Sequence, residues 1–567
     1  MSSRSFIQSG PQLPDPYASD PLLRAYLKRR LPREVHEAIR PDLQRFAQRV
    51  VSEIESYGEQ AEAQEPQLKS YDAWGRRVDE ILVSPAWEAL HRVAAEEGLI
   101  AIGYERLFGQ HARLYQFTKL YLYSPSSAFY ACPLAMTDGA ARLLELYADP
   151  VLKQRALSHL CSRDPADFWT SGQWMTEKQG GSDVGQSATA ARHEAGDFYR
   201  LEGHKWFTSA TTSAMAMTLA RIEDRDGQSV SGSRGLSLFY LETRDAAGGL
   251  NGIQIDRLKD KLGTRALPTA ELTLAGCRAQ RVGTEGQGVK LMSSLFNVTR
   301  IYNAVIAVSF MRRMLALVRD YAQRREAFSR PLIELPLHQE TLAHLEVQTR
   351  GAFLLGFALT DLLGKVECRT ATADEAILLR LLTPVVKLFT AKEAVALMSE
   401  AIEAIGGAAY IEDTRLPKWL RDTQVLAIWE GTTNVLSLDM MRAFHKEGAF
   451  PVFAREIAGR LQAHQQSSLR PFSEKIAAAA GKLHSFVMET LSENNAAKLE
   501  VSARGIAMSI ARIFAATELL DHAAWALQNQ DDPLALPSLE RWCRQDLTPL
   551  RDLSGDEIGV NRALAGG

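Results

Sequence analysis

The chain has 567 residues, 46% apolar and 23% charged, and its 65 basic and 68 acidic side chains leave a net charge of only −3. That length allows roughly three or four structural units, each with enough core to be stable, and lets the chain bury a large ligand. The charge balance fits a soluble globular enzyme; it argues against a disordered scaffold and demands no polyanionic partner.

The residues before Leu23 carry Pro11, Pro14, Pro16, Asp15 and Asp20 and no apolar centre, which predicts an extended arm rather than a secretory signal. Arg4 among serines is a faint mark of organelle import. Over 21–164 apolar residues recur at three- and four-residue spacing, as in Leu107, Leu114, Phe117, Leu120 and Tyr121, so residues 1–167 read as an N-terminal helical domain with its arm. The period changes over residues 168–284, where the short runs 198–201, 214–220 and 236–241 and Leu272-Thr273-Leu274 predict a central β domain. Helical signals return over residues 285–445, in stretches 289–325 with a break near Asn297, 336–364, and 374–405. Pro384 should kink the last of these, and Gly406-Gly407 should cap it. Residues 446–567 read as an additional helical domain, broken by Pro533 and Pro537 and closed by a polar, glycine-rich tail. The 14 basic and 15 acidic side chains after Met440 give no excess for a phosphate backbone, so its expected job is packing. No window holds the ~18 continuous apolar residues of a membrane span. Cys132, Cys161, Cys277, Cys368 and Cys543 lie far apart with no C-x-x-C pair; neither a metal site nor a disulfide framework is indicated, and a reducing, cytoplasmic setting is expected.

Several segments offer chemistry, each with a plainer alternative. The run Trp174-Met175-Thr176-Glu177-Lys178-Gln179-Gly180-Gly181-Ser182-Asp183-Val184 presents amides, hydroxyls and paired glycines that could wrap a planar heterocycle and a phosphate, or form a surface turn. His204-Lys205-Trp206-Phe207-Thr208-Ser209 ends a predicted strand; its indole and hydroxyl suit one face of an isoalloxazine, or simply fill a sheet core. Asn297 and Arg300 read as first-turn residues of a long helix, where a cation gains nothing from the helix dipole and asks for an anion. Arg325, at the end of that helix, could merely offset the dipole. In Ile428-Trp429-Glu430-Gly431-Thr432-Thr433-Asn434-Val435 a lone carboxylate stands between an indole and a glycine. Close ligand approach at the glycine and a raised carboxyl pKa would make Glu430 a base, although an acid before a helix is more often only a dipole partner. No G-x-G-x-x-G follows a strand, which argues against a Rossmann domain.

Taken in order, Thr176-Glu177 with Gly181-Ser182-Asp183, Lys205-Trp206-Phe207-Thr208, Lys261-Leu262-Gly263, Thr299-Arg300, Arg325 with Phe328, Gly406-Gly407 and Trp429-Glu430-Gly431-Thr432 resemble the acyl-CoA dehydrogenase family of FAD enzymes. Tyr71-Asp72-Ala73-Trp74-Gly75-Arg76-Arg77 and the C-terminal helical region resemble its AidB-type branch, linked to the bacterial alkylation response. The resemblance implies an α+β, mainly α fold: an N-terminal helical domain, a central β domain, a C-terminal four-helix bundle and extra C-terminal helices. It implies a homotetramer acting in fatty acid metabolism. FAD would be held by Gln173, Trp174, Met175, Thr176, Gly181, Ser182, Trp206, Phe207 and Thr208, with Thr432, Thr433 and Asn434 after the base. Arg325, Phe328, Glu403, Gly406 and Gly407 would meet the FAD of a neighbouring subunit. Glu430 would take the α-proton of an acyl-CoA thioester while the β-hydrogen leaves as hydride to flavin N5. Ser182, Asn297, Arg300 and Gly431 would contact substrate, and electrons would pass to an acceptor such as electron-transfer flavoprotein. The chain departs from the family pattern at Asn297, where many members carry Asp, at Glu403, where many carry Gln, and at Ser329, where Gly is common. The branch also carries an alternative reading, a flavoprotein that binds or protects DNA with little dehydrogenase activity.

Overall fold

The computed structural model describes residues 7–464, 468–492, 496–551 and 555–566; Arg4 lies outside them. The chain forms two compact units, one of Gln48–Leu107 and Thr118–Tyr302, the other of Met1–Ala47, Phe108–Phe117 and Asn303–Gly567. The helices before the sheet are α1 (Pro21–Arg30), α2 (Arg33–Arg49), α3 (Glu55–Ala63), α4 (Pro85–Glu96), α5 (Ala101–Glu105), α6 (Ala112–Tyr123), α7 (Ala131–Tyr147) and α8 (Pro150–Leu160). A hairpin, β1 (Gln67–Tyr71) and β2 (Arg77–Leu82), interrupts this helical stretch. The helical reading did not foresee it, because each strand is short and the deciding signal is the turn: Asp72 accepts from the amides of Trp74 and Arg76.

The β-rich part of the first unit holds β3 (Ser171–Trp174), β4 (Ala190–Ala195), β5 (Phe198–Ser209), β6 (Met215–Ile222), β7 (Leu236–Glu242), β8 (Ile253–Leu258) and β9 (Thr269–Val282). Pairings β6–β4, β4–β5, β5–β9, β9–β7 and β7–β6 close on themselves; β3 adds parallel to β6, and β8 pairs with β9. Strand alternation divides the side chains between two cores. Ala216, Ala220, Phe239 and Leu241 join the inner cluster with Trp174, Leu201 and Leu272. Met215, Met217, Leu219, Leu236 and Leu238 face outward against Leu143 and Leu144 of α7 and Leu152 of α8.

In the second unit follow α9 (Gly288–Arg324, shared with the first), a hairpin of β10 (Glu326–Ala327) and β11 (Arg330–Pro331), α10 (Pro336–Glu367), α11 (Ala373–Ile405), α12 (Pro417–Gln424) and α13 (Thr433–Glu447). Then come α14 (Ala449–Gln462), α15 (Arg470–Ser492), α16 (Ala496–Asn529), α17 (Ala535–Cys543) and α18 (Gly555–Gly566). α9 is unbroken at Asn297, because its buried neighbours Leu295 and Val298 carry the apolar stripe straight through. One 18-residue window of α9 has a mean hydropathy of 1.5 and is 83% buried, the mark of a core helix. α11 passes through Pro384 and stops at Gly406, whose φ of 83° ends the helical path. The glycine-rich tail is helical as α18, and Pro537 lies inside the first turn of α17, where no intrahelical N–H bond is lost.

The last helices are fastened to α10 by shape and charge. A Cβ at Gly351 would meet the Trp542 ring at 2.3 Å, so only glycine lets α17 lie this close. Fully buried Arg350 pairs with Asp532, which also takes His522 Nε2 at 2.8 Å. Glu518 of α16 accepts from Arg29 at 3.0 Å and Arg460 at 2.8 Å. None of the five cysteines forms a disulfide, and Cys132, Cys277 and Cys543 are buried.

Candidate functional site

The turn carrying Glu430 connects a short 3-10 helix, Val425–Ala427, to α13. Glu430 is half-buried with φ at 54°, and Gly431 follows with φ at 106°. A non-glycine residue in this left-handed region costs about 1–2 kcal/mol, so the turn needs outside support. That support comes from two helices. Lys387 of α11, fully buried, donates from Nζ to Trp429 O and Gly431 O, each at 2.7 Å. The Trp429 indole N–H donates to Asn303 of α9, itself 2% exposed. Neither residue belongs to the motifs that carry the resemblance. The available signal is a lone lysine inside the apolar run of α11, which must find buried acceptors. After the turn, Thr432 is the N-cap of α13 without a side-chain cap bond, and Thr432 and Asn434 are exposed.

Arg325, Phe328, Glu403, Gly406 and Gly407 lie elsewhere on their elements. Trp419 of α12 packs edge-on against Phe310 of α9, while Trp429 reaches Asn303, so the chain from α12 to the Glu430 turn runs antiparallel to α9. At 1.5 Å per residue, Arg325 lies ~33 Å beyond Asn303 along α9, and Glu403 ~24 Å beyond Lys387 along α11. Neither is brought to Glu430. Phe328 and Ser329, with φ of 54° and 61°, form the two-residue turn between β10 and β11, and Phe328 is 90% exposed at its tip. Glu403, Gly406 and Gly407 are exposed too.

In the β-rich unit the two aromatic-and-glycine segments lie side by side. The Trp206 amide donates to Thr176 O at 2.8 Å. Beneath them Lys205 Nζ donates to Glu177 Oε1 at 2.8 Å, and the same carboxylate accepts from Thr189, the Ala188 amide and Gln179. Burial alone would raise the Glu177 carboxyl, yet Lys205 and these hydrogen bonds hold it below its ordinary range. The polar residues of the segment thus serve partly as its scaffold. Gln173 is half-buried at the end of β3, and Trp174 and Met175 are buried in the sheet cores. Thr208 is fully buried and donates its hydroxyl to Ala270 O at 2.7 Å. Lys259 Nζ stands 3.2 Å from the Trp206 ring centroid, so a cation occupies part of that indole's surface. Lys261 ties the following loop by donating to Thr264 O and Leu267 O, both at 2.6 Å.

Asn297 and Arg300 are not on a first turn. α9 begins at Gly288, which places both more than two turns inside it, with Arg300 5.8 Å from the Phe296 ring centroid. The dipole argument for an anion at Arg300 therefore falls away.

The residues present fit a flavin nucleotide. Gly181 and Ser182 are exposed, and a Cβ on Gly181 would sit 3.2 Å from the Thr176 methyl, so this shelf stays open to a ligand because glycine lines it. Phe207, which follows Trp206, is 55% exposed with Lys259 Nζ 4.8 Å from its ring centroid, and offers a flat ligand an aromatic surface.

The chain matches four family models: Adaptive response protein AidB N-terminal domain over 12–164, Acyl-CoA dehydrogenase middle domain over 172–277, Acyl-CoA dehydrogenase C-terminal domain over 286–445, and Acyl-CoA dehydrogenase 11 C-terminal domain-like over 448–562. Acyl-CoA dehydrogenase family member 11 of Caenorhabditis elegans is 45% identical over 571 residues, covering 99% of this chain and 92% of that protein. The putative acyl-CoA dehydrogenase AidB of Escherichia coli is 33% identical over 398 residues, 69% of this chain and 71% of that one. The crystal structure of Caenorhabditis elegans ACDH-11 in complex with C11-CoA has a TM-score of 0.97 at 44% identity, covering 100% of this chain and 97% of that chain. The chain therefore belongs to the acyl-CoA dehydrogenase family of FAD-dependent enzymes, in its AidB-type branch.

Proposed function

We propose that the protein dehydrogenates an acyl-CoA thioester between Cα and Cβ, with Glu430 as the base. The observation that carries this reading is the end-to-end likeness to a relative whose structure is a complex with C11-CoA, together with a carboxylate on a braced turn. The Glu430 carboxylate takes the α-proton and becomes the acid. That proton is too weakly acidic unless the thioester carbonyl is polarised, and the Glu430 backbone N–H is the protein donor for it. Asn297, Arg300, Ser182 and Gly431 bind the thioester and CoA. FAD supplies the acceptor for the hydride leaving Cβ, and electrons pass on to an acceptor such as electron-transfer flavoprotein. The residues that would hold FAD are Gln173 to Thr176, Gly181, Ser182, Trp206 to Thr208 and Thr432 to Asn434. Arg325, Phe328, Glu403, Gly406 and Gly407 serve the FAD of a neighbouring subunit in a homotetramer.

Anaerobic mixing with C11-CoA and a panel of other acyl-CoAs should bleach the flavin band, and Glu430→Gln should lower the rate at least about 10²-fold. No bleaching with any chain length would remove the reading. The DNA-binding alternative has less support, because many C-terminal arginines are already paired: Arg455 with Asp374, Arg460 with Glu518 and Asp521, and Arg544 with Glu540.

A further inference from the structure

The two carbonyls that Lys387 holds belong to the residues on either side of Glu430. In a planar trans peptide the C=O and the N–H point in opposite directions. Drawing Trp429 O toward Lys387 therefore turns the Glu430 N–H to the other side of the turn, and drawing Gly431 O does the same for the Thr432 N–H. An ammonium carries three tetrahedrally disposed donors, so a single Nζ can serve both carbonyls. The left-handed φ of Glu430, a non-glycine residue, means the turn would not choose this arrangement unaided. Asn303 adds a second anchor through the Trp429 indole.

We propose that Lys387 is a positioning residue for the reaction: it aims the Glu430 N–H as the donor to the thioester carbonyl and fixes the backbone from which the Glu430 carboxylate reaches the α-proton. The proposal rests on the dehydrogenase reading above. It gives a buried lysine, remote in sequence from the turn, control over both the base and its oxyanion donor.

The test uses the full-length, FAD-loaded protein and C11-CoA, comparing wild type with Lys387→Met and Lys387→Gln. Three quantities are read: deuterium uptake from D2O at the acyl α-carbon, the rate of flavin reduction per bound FAD, and the Kd for C11-CoA. Lys387→Met should lower deuterium uptake and reduction together by about 10²–10³-fold, the cost of losing one oxyanion donor, with Kd changed less than about threefold. Lys387→Gln keeps two N–H donors and should fall only about tenfold below wild type. If the methionine variant does not fold, the glutamine variant carries the comparison. Rates per FAD within about twofold of wild type, with only FAD content or Tm reduced, would overturn the proposal by leaving Lys387 a purely structural role. Wild-type protein that neither exchanges the α-hydrogen nor bleaches fails the dehydrogenase reading itself, and that result is seen before any substitution is made.

Discussion

Lys205 and Glu177 are 0% and 2% exposed at their side chains, and they join the two segments expected to hold FAD. A buried pair adds little when intact but costs much when halved. Lys205→Met should therefore destabilise the fold by about 3–5 kcal/mol, read as a lower denaturant midpoint, and Glu177→Leu added to it should return part of that loss. A midpoint unchanged in the single variant would show the pair to be dispensable. The family motifs were legible because their residues sit together in sequence: Trp429-Glu430-Gly431 puts a carboxylate, the proposed base, between an indole and a glycine in three letters. Their supports were not, because Lys387 and Asn303 stand 42 and 126 residues away and are defined only by what they meet. At Arg300 it is the helix end that was misplaced: the anion expected from the dipole assumed a first turn that lies more than two turns upstream, while the substrate contact implied by the resemblance does not depend on it.

At the scale of elements, α10 is held by charge. Glu346 on it accepts from Arg312 at 2.8 Å, Arg319 at 3.1 Å and Arg350 at 3.1 Å. Burial would push this carboxyl up, but the three guanidinium groups hold it down to about 2, against an ordinary 4.5. A carboxyl lowered on folding contributes stability that is whole above about pH 4.5 and is lost as pH falls toward 2. The Tm gap between wild type and Glu346→Gln should accordingly be widest above pH 4.5 and close over that acid range. A gap that stays constant with pH would mean the arginines do not stabilise the charged form. The long helices α9, α10 and α11 were readable from apolar spacing because each offers many turns of evidence. The β1–β2 hairpin and α18 were not, since a five-residue strand and a glycine-rich end carry too few periods to outvote local composition.

For the whole molecule, the homotetramer proposed above would have Phe328, 90% exposed at the tip of its turn, reach a neighbouring subunit. We expect a species of about four times the 62.8 kDa chain by light scattering. Phe328→Asp should shift it to smaller species and lose FAD on gel filtration, since a charge would replace an apolar anchor. A variant that keeps both its mass and its FAD would take Phe328 out of the interface. The cysteines supply a reporter of a different kind. Burial pushes the thiols of Cys277 and Cys543 up to about 12, so in the closed fold they hold almost no thiolate at neutral pH. Cys277 belongs to the β-rich unit and Cys543 to the helical one. The speed at which each takes up an alkylating reagent becomes a clock for the opening of its own unit, so the two can be timed separately in one sample.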